Sequence, residues 1–398
     1  MKILIAGDFY VNENSKFYID ELFDELNMSD YFLFNLEAPI RDKKSIQAIL
    51  KGGPNLYMNT SSLTPFVEYY KKIILSGANN HMGDFGEEGV LSTLKFFKDN
   101  NILNIGCGEN IDDAGKPLFL DDNTVILAIA ENEFGMASEF KAGSNPLKIE
   151  KNLIEIMKLN KHGYTVIVYF HGGTEEFPLP NPFIKRLFRT FLDAGGKVVI
   201  GNHPHIPQGY EVYNNGYIFY SLGNFIFDKR EMKHTLRSRL KSMVRGVRKN
   251  KVEVIRDFWN IGYLVSLNLD KNQIDFEIIP VTYDKNRVTV MKGEQKKNFL
   301  GYLNKLVEIN NNKENYLTYW NSWTKLQSNF IKRRISDFSY FNINSKYKNF
   351  LSFRNQITCE SHRELLLNLN FLIENKELER CADTSIIKLL QNPDNFNI

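Results

Sequence analysis

Gly201-Asn202-His203-Pro204-His205 sets two imidazoles one residue apart, directly after the run Lys197-Val198-Val199-Ile200. An apolar run ended by Gly-Asn reads as a buried strand emptying into a tight loop. If the segment stays extended, both imidazoles point to one face, and Pro204 narrows the loop's freedom. Two imidazoles so placed suit a divalent transition metal. Four other strand ends finish on the same kind of chemistry. Asp8 follows the first apolar run, Glu37 ends Asn35-Leu36-Glu37, Asn80 and His81 close Gly77-Ala78-Asn79-Asn80-His81, and His171 follows Val166–Phe170. Two carboxylates, an amide and several imidazoles suit two adjacent cations such as Mn, Fe or Zn, with a carboxylate as bridge. Such a pair acidifies a bound water and clamps attacking and leaving oxygens. With Asn80 beside it to supply the metal oxygen, His81 is better placed as general acid or transition-state donor than as ligand.

Each position also has an ordinary structural account. Gly7-Asp8 can be a turn, Glu37 before Ala-Pro a solvated loop acid, and Asn79-Asn80-His81 an Asx-turn and helix cap. His171 before Gly172-Gly173 can be a plain strand end. Together, however, these accounts require five unrelated polar groups to collect at strand ends by chance. His162, preceding Gly163, reads as part of a helix–strand turn.

The elements that must position these groups are short strands alternating with helices. Strand signals cover Lys2–Ala6, Tyr31–Phe34, Lys72–Leu75, Thr124–Ile129, Thr165–Phe170, Lys197–Ile200 and Tyr217–Ser221. Helical spacing covers Ser15–Leu26, Ser62–Tyr70, Glu87–Lys98, Pro146–Leu159 and Pro182–Leu192. That alternation predicts an α/β layered domain whose sites lie beyond the carboxyl ends of its strands. From Asp228 the texture changes. Lys229 to Lys251 holds ten Lys/Arg and one acid, with Met232, Leu236, Leu240 and Val247 at helical spacing. A hairpin is predicted from Tyr263–Leu269 and Ile274–Pro280. Residues 286–398 read as a mainly helical extension.

Composition excludes some functions and permits others. Apolar residues make up 43%, enough for a sizeable core, and the net charge of +3 does not point to nucleic acid. Three cysteines, Cys107, Cys359 and Cys381, form no metal-spacing motif and fit a reducing compartment. The apolar run after Met1 falls short of the roughly 7–15 residues of a signal peptide. No stretch approaches the ~18 apolar residues of a membrane span. The expectation is therefore a cytoplasmic protein, with a peripheral place at the inner membrane as the variant.

The ordered series Gly7-Asp8, Asn35-Leu36-Glu37, Ala78-Asn79-Asn80-His81 with Asp84 and Gly86, Gly106-Cys107-Gly108, His171 and His203-Pro204-His205 resembles the CapA (PGA_cap) family. So does Tyr220-Ser221-Leu222-Gly223-Asn224-Phe225-Ile226-Phe227-Asp228. This capsule-synthesis, poly-γ-glutamate-associated family lies within the calcineurin-like metallophosphoesterases. The resemblance spans about residues 1–228, with the hairpin to about 285 completing a domain over 1–285. It implies a four-layer α/β/β/α sandwich holding two metal ions. By the same resemblance Asp8 is the first-metal aspartate, Glu37 the bridge, Asn80 the second-metal amide and His81 the catalytic histidine. His171, His203 and His205 are the remaining imidazole ligands. There are departures. Many metallophosphoesterases carry His where Tyr10 stands, and His171-Gly172-Gly173-Thr174-Glu175-Glu176-Phe177 lacks an aromatic and adds an acid.

Glu175, Asn224 and Arg237 are candidate substrate contacts; for Glu175 a solvated acidic loop is the ordinary account. The basic segment 229-251 reads as an amphipathic helix. It has three accounts: a packed lid, an anionic-membrane or synthase-complex contact, and a recruiter of an anionic polymer or phosphoester substrate. Trp320, Trp323, Tyr316 and Tyr319 read as packing residues rather than a carbohydrate platform. The functional expectation is a metal-dependent hydrolase in capsule or other surface-polymer biosynthesis. Its rivals are a non-hydrolytic polymer-binding subunit of a synthase or export complex and a peripheral membrane scaffold.

Overall fold

Strand β1 (Lys2–Tyr10) is buried along nearly its whole length and organises the larger of two sheets. On one side it pairs in parallel with β2 (Tyr31–Leu36), which continues to β3 (Ile73–Ser76) and β4 (Leu103–Ile105). A separate two-stranded ribbon joins β5 (Cys107–Gly108) to β8 (Gly143–Ser144). Between them in sequence, β6 (Leu118–Phe119) and β7 (Thr124–Ala130) open the second sheet. Next come β9 (Thr165–His171), β10 (Val198–Asn202), β11 (Tyr210–Tyr213) and β12 (Gly216–Phe219), giving the order β11-β12-β10-β9-β7-β6. The chain then returns to β1. Strand β13 (Asn224–Phe227) runs parallel to its second half, and β14 (Ile261–Asp270) runs antiparallel to its first half. The larger sheet closes with β15 (Gln273–Asp284) and β16 (Arg287–Val290), so its pairing continues past residue 285. The computed structural model describes residues 1–12, 15–41, 45–228, 258–270, 273–339 and 347–398. The basic segment 229-251, with Arg237, lies outside them.

Because side chains alternate across a strand, each sheet is apolar on both faces. Ile3, Ile5, Leu33 and Ile74 of the first sheet share one core with Ile126, Ala128, Ile167, Tyr169, Val198 and Ile200 of the second. The opposite face of the first sheet (Leu4, Phe32, Phe34, Leu75) packs with Leu26, Phe66 and Phe97. On the second sheet, Val125, Val166, Val168 and Val199 pack with Ile156, Leu187 and Phe191. These last belong to α4 (Ile149–Lys161) and α5 (Pro182–Asp193). Earlier helices are α1 (Phe23–Met28), α2 (Gly86–Asp99) and α3 (Ile111–Ala114). The architecture is mixed α/β, as expected.

Two predicted helices differ from expectation. Ser15–Leu26 shortens to a 3-10 turn, Asp20–Leu22, leading into α1. Ser62–Tyr70 is 3-10 throughout, Thr60–Lys72, with Pro65 inside it. Proline removes a backbone donor and crowds the preceding turn, which opposes α-helical hydrogen bonding there.

Beyond β16 the described chain is helical: α6 (Gly293–Asn311), α7 (Lys313–Ser339), α8 (Tyr347–Thr358), α9 (Glu360–Glu374) and α10 (Ser385–Gln391). Phe299, Tyr302, Leu306, Trp320, Trp323 and Leu369 join the core that fills the space between the sheets. Trp320 and Trp323 sit 5.5 Å and 5.3 Å, centroid to centroid, from Phe177 and are buried. No helix among the described residues is long and apolar enough to cross a membrane.

Candidate metal centre

Asp8 lies where the β1 register shifts, between its pairing with Asn224 and that of Phe9 with Ile226. Gly7 permits this crossing, since a Cβ there would fall 1.8 Å from the Gly223 carbonyl oxygen. Glu37 follows β2, Asn80 and His81 follow β3, His171 ends β9, and His203 and His205 follow β10. All these termini point to one end of the paired sheets. Asp8, Glu37, Asn80, His171, His203 and His205 are all buried there.

The donors form two groups around His171. Its Nε2 lies 3.1 Å from Asn80 Oδ1, 3.1 Å from His203 Nδ1 and 3.6 Å from Glu37 Oε1. Its Nδ1 lies 3.5 Å from Asp8 Oδ1. On the other side, Asp8 Oδ2 is 3.3 Å from His205 Nδ1, which is 2.9 Å from Asn224 Oδ1. The Asn224 amide is oriented by its surroundings: Nδ2 donates to the carbonyls of Trp259 (2.9 Å) and His205 (3.3 Å), so Oδ1 must face the imidazole.

One sequence expectation fails locally. The 203–205 segment is not extended; His203 and His205 take positive φ of 98° and 60° on either side of Pro204. Such backbone costs on the order of 1–3 kcal/mol per residue and persists where surroundings over-determine it. Here the His203 amide donates to Asp8 Oδ2 at 3.0 Å. The turn sends the two imidazoles to different donor groups instead of along one face.

Electrostatics follow from burying so many ionisable groups together. Burial alone would raise the Asp8 carboxyl, but hydrogen bonds and charges from His171 and His205 outweigh it and hold it well below the usual carboxylate range. Glu37 is pushed well above its ordinary value by burial and then by the Asp8 charge. Burial and the neighbouring His171 depress His203 to about 4. For His205 burial acts downward, yet the Asp8 contact raises it. Opposed shifts among neighbouring buried groups make this cluster the candidate site.

The donors fit a divalent cation. Ligand atoms of Asp8, Glu37 and His171 all lie within 4.8 Å of one another. Glu37 Oε1 is buried with no hydrogen-bond partner among the described residues, a costly state for an acceptor unless something charged meets it. Its other oxygen accepts from Asn35 Nδ2, which also donates to Asp8 Oδ1 at 2.8 Å. Tyr10 donates its hydroxyl to Asn12 and packs on Phe227, whose ring in turn meets His205.

His81 borders the centre. Its Nδ1 lies 2.7 Å from Asp84 Oδ2 and 3.1 Å from Lys51 Nζ, and Lys51 is ion-paired to Asp84 with both side chains buried. Burial, then the Lys51 charge, depresses the His81 imidazole. Glu175 is half-buried, and its charge acts on Glu37, His203 and His205. Sequence reading missed Lys51, Glu131 and Glu133. The rule that found the others, an acid just beyond an apolar strand, fits Glu131 and Glu133 after β7. Lys51 carries no such signal.

The model of the family described as "Bacterial capsule synthesis protein PGA_cap" matches residues 6–229. The chain is 33% identical over 222 residues to "Capsule biosynthesis protein CapA" of Bacillus anthracis, covering 51% of this chain and 52% of that protein. It is 32% identical over 221 residues to "PGA biosynthesis protein CapA" of Bacillus subtilis (strain 168), covering 53% and 56%. The chain thus spans about half the length of the curated relatives it matches. A solved structure of a hypothetical protein from Thermus thermophilus overlaps 70% of this chain and 99% of its own, at 12% identity and a TM-score of 0.40, too loose a likeness to specify the fold. The strand-end residues described above, from Asp8 to Asn224, all fall inside the matched region, and this chain belongs to the PGA_cap family of bacterial capsule synthesis proteins.

Proposed function

We propose that the chain is a metal-dependent hydrolase of the metallophosphoesterase type, working in capsule or poly-γ-glutamate biosynthesis. The observation that carries the reading is the buried meeting of Asp8, Glu37 and His171, with one Glu37 oxygen left without a hydrogen-bond donor among the described residues. The two sheets, each with a helix-bearing core on its outer face, support a four-layer α/β/β/α sandwich. In this reading the catalytic domain covers residues 1–285 together with strand β16, and the helices from Gly293 onward form its extension.

Asp8, Glu37 and His205 would hold one divalent cation, and Glu37, Asn80, His171 and His203 the other. When bound, Mn, Fe or Zn at such a centre supplies Lewis acidity and acidifies water. The remaining work falls to the chain. Asn35 orients both carboxylates by donating to each. In this reading the imidazolium form of His81 holds Nδ1–H against Asp84 and gives its Nε2 proton to the leaving oxygen, becoming the neutral imidazole. The Lys51–Asp84 pair fixes the imidazole. Glu175 borders the substrate, an anionic polymer or phosphoester, whereas Asn224, its amide engaged by His205 and the Trp259 carbonyl, holds His205 in place.

A second reading rests on the names of the relatives, which speak of biosynthesis and not of hydrolysis: a non-hydrolytic subunit that binds polymer. Assaying aryl phosphoesters with Mn decides between them. The hydrolase reading expects turnover that disappears in Asp8→Ala and His81→Ala. Stoichiometric Mn binding with no turnover on phosphoester or amide substrates would favour the binding subunit.

A further inference from the structure

The three residues after β7 are joined one by one to the helical extension. Glu131 accepts from the backbone amide of Ser361 and, at 2.8 Å, from its hydroxyl. Asn132 donates its backbone N–H and side-chain amide to Glu360, at 3.2 Å and 2.7 Å. Glu133 Oε2 accepts from Asn355 Nδ2 at 3.1 Å. Residues 355–361 lie beyond the 6–229 region matched by the family model, so the clasp joins that region to chain outside it.

The same Glu133 carboxylate faces the candidate metal centre. Oε2 also accepts from Asn80 Nδ2 at 3.5 Å, and Oε1 lies 3.7 Å from His203 Nε2, with the Glu133 side chain itself buried. These are the atoms of Asn80 and His203 that turn away from His171. A carboxylate facing the Asn80 amino group favours the orientation that turns Oδ1 toward His171 Nε2. A carboxylate beside His203 Nε2 favours the proton there and leaves Nδ1 with its lone pair directed inward. One side chain therefore orients both donors of the second group.

We propose that Glu133 is a positioning residue for the second cation, and that Asn355 of the extension anchors it. The inference rests on the reading that Asn80, His171 and His203 hold a cation. It adds that residues outside the matched region complete that site. The fixed carboxylate selects the metal-ready amide orientation and imidazole tautomer before any cation arrives, so its loss appears as weakened metal affinity. Outer partners of this kind are worth roughly 10–100-fold in affinity.

The test is calorimetric titration of the metal-free full chain with Mn alone, for the wild type, Glu133→Gln and Asn355→Ala, with the melting temperature of each metal-free protein recorded. The expected result is two Mn sites in the wild type. Glu133→Gln should weaken one of them by about 10–100-fold, Asn355→Ala should weaken the same one by less, and neither should shift metal-free melting. Two unchanged sites in both variants would overturn the proposal. So would equal loss of both sites with a lowered melting temperature, because that pattern reports only support of the fold. A wild type that takes up no Mn would sink the metal reading itself, and this inference with it.

Discussion

Lys51 Nζ lies 3.1 Å from His81 Nδ1 while ion-paired to Asp84, so the histidine at the edge of the candidate metal centre rests on a buried charge pair. The lysine stands thirty positions earlier in sequence and belongs to no motif. Removing one partner of a buried pair leaves the other charge stranded. Lys51→Met is expected to lower unfolding free energy by about 3–5 kcal/mol in urea titrations. Lys51→Met combined with Asp84→Asn should recover part of that loss. A single variant as stable as the wild type would mean the pair is not formed.

Metal removal offers an independent check. A ligand that binds only the folded state raises stability by RT ln(1 + [L]/Kd), about 2.7 kcal/mol at a hundredfold excess over Kd. Chelation should therefore lower the melting temperature of the purified protein, and added Mn should restore it. Asp8→Ala should melt at a temperature that barely responds to either treatment.

Gly7 is the point where β1 passes the Gly223 carbonyl, and an alanine Cβ would sit 1.8 Å from that oxygen. The obstacle is backbone, so no rotamer relieves it. Gly7→Ala should cost more than the ~1–3 kcal/mol typical of overpacking, seen as a large fall in soluble yield and melting temperature. Gly301→Ala, with nothing within 4 Å of the added methyl, is the matched control and should be neutral or slightly stabilising.

Glu131 is pushed up to about 8 by burial and by the nearby Glu360 carboxylate. Its folded value lies above its unfolded one, so the folded protein holds the extra proton. That stability is fully present below about 4.5 and is lost as pH rises toward about 8. The metal-free protein should lose up to about 1.4 kcal/mol per pH unit across this window from the one proton. Glu37, also raised, adds a slope of the same sign. The informative quantity is thus the difference between wild type and Glu131→Gln, whose slope should be shallower.

Sequence alone placed β2, β3, β9 and β10 near their observed ends and so drew attention to Glu37, Asn80, His171, His203 and His205, whereas β1, expected to stop at Ala6, runs on to Tyr10 and carries Asp8 within it. The reason is physical: a buried parallel strand is a run of apolar side chains, and the first polar residue beyond it shows plainly against that run. The same signal was present after Thr124–Ala130, yet Glu131 and Glu133 went unread because their partners Ser361 and Asn355 lie more than two hundred residues away. The helical spacing over Ser62–Tyr70 likewise does not distinguish the observed 3-10 form, Thr60–Lys72, from an α-helix. Local pattern cannot show that His203 and His205 adopt positive φ and so part company. Residue types and strand periodicity thus determined which chemistry gathers at one end of the sheets. Only the folded chain decided which nitrogen and which oxygen face each other, because burial and hydrogen bonding between distant segments fix the orientation of side chains that sequence leaves free.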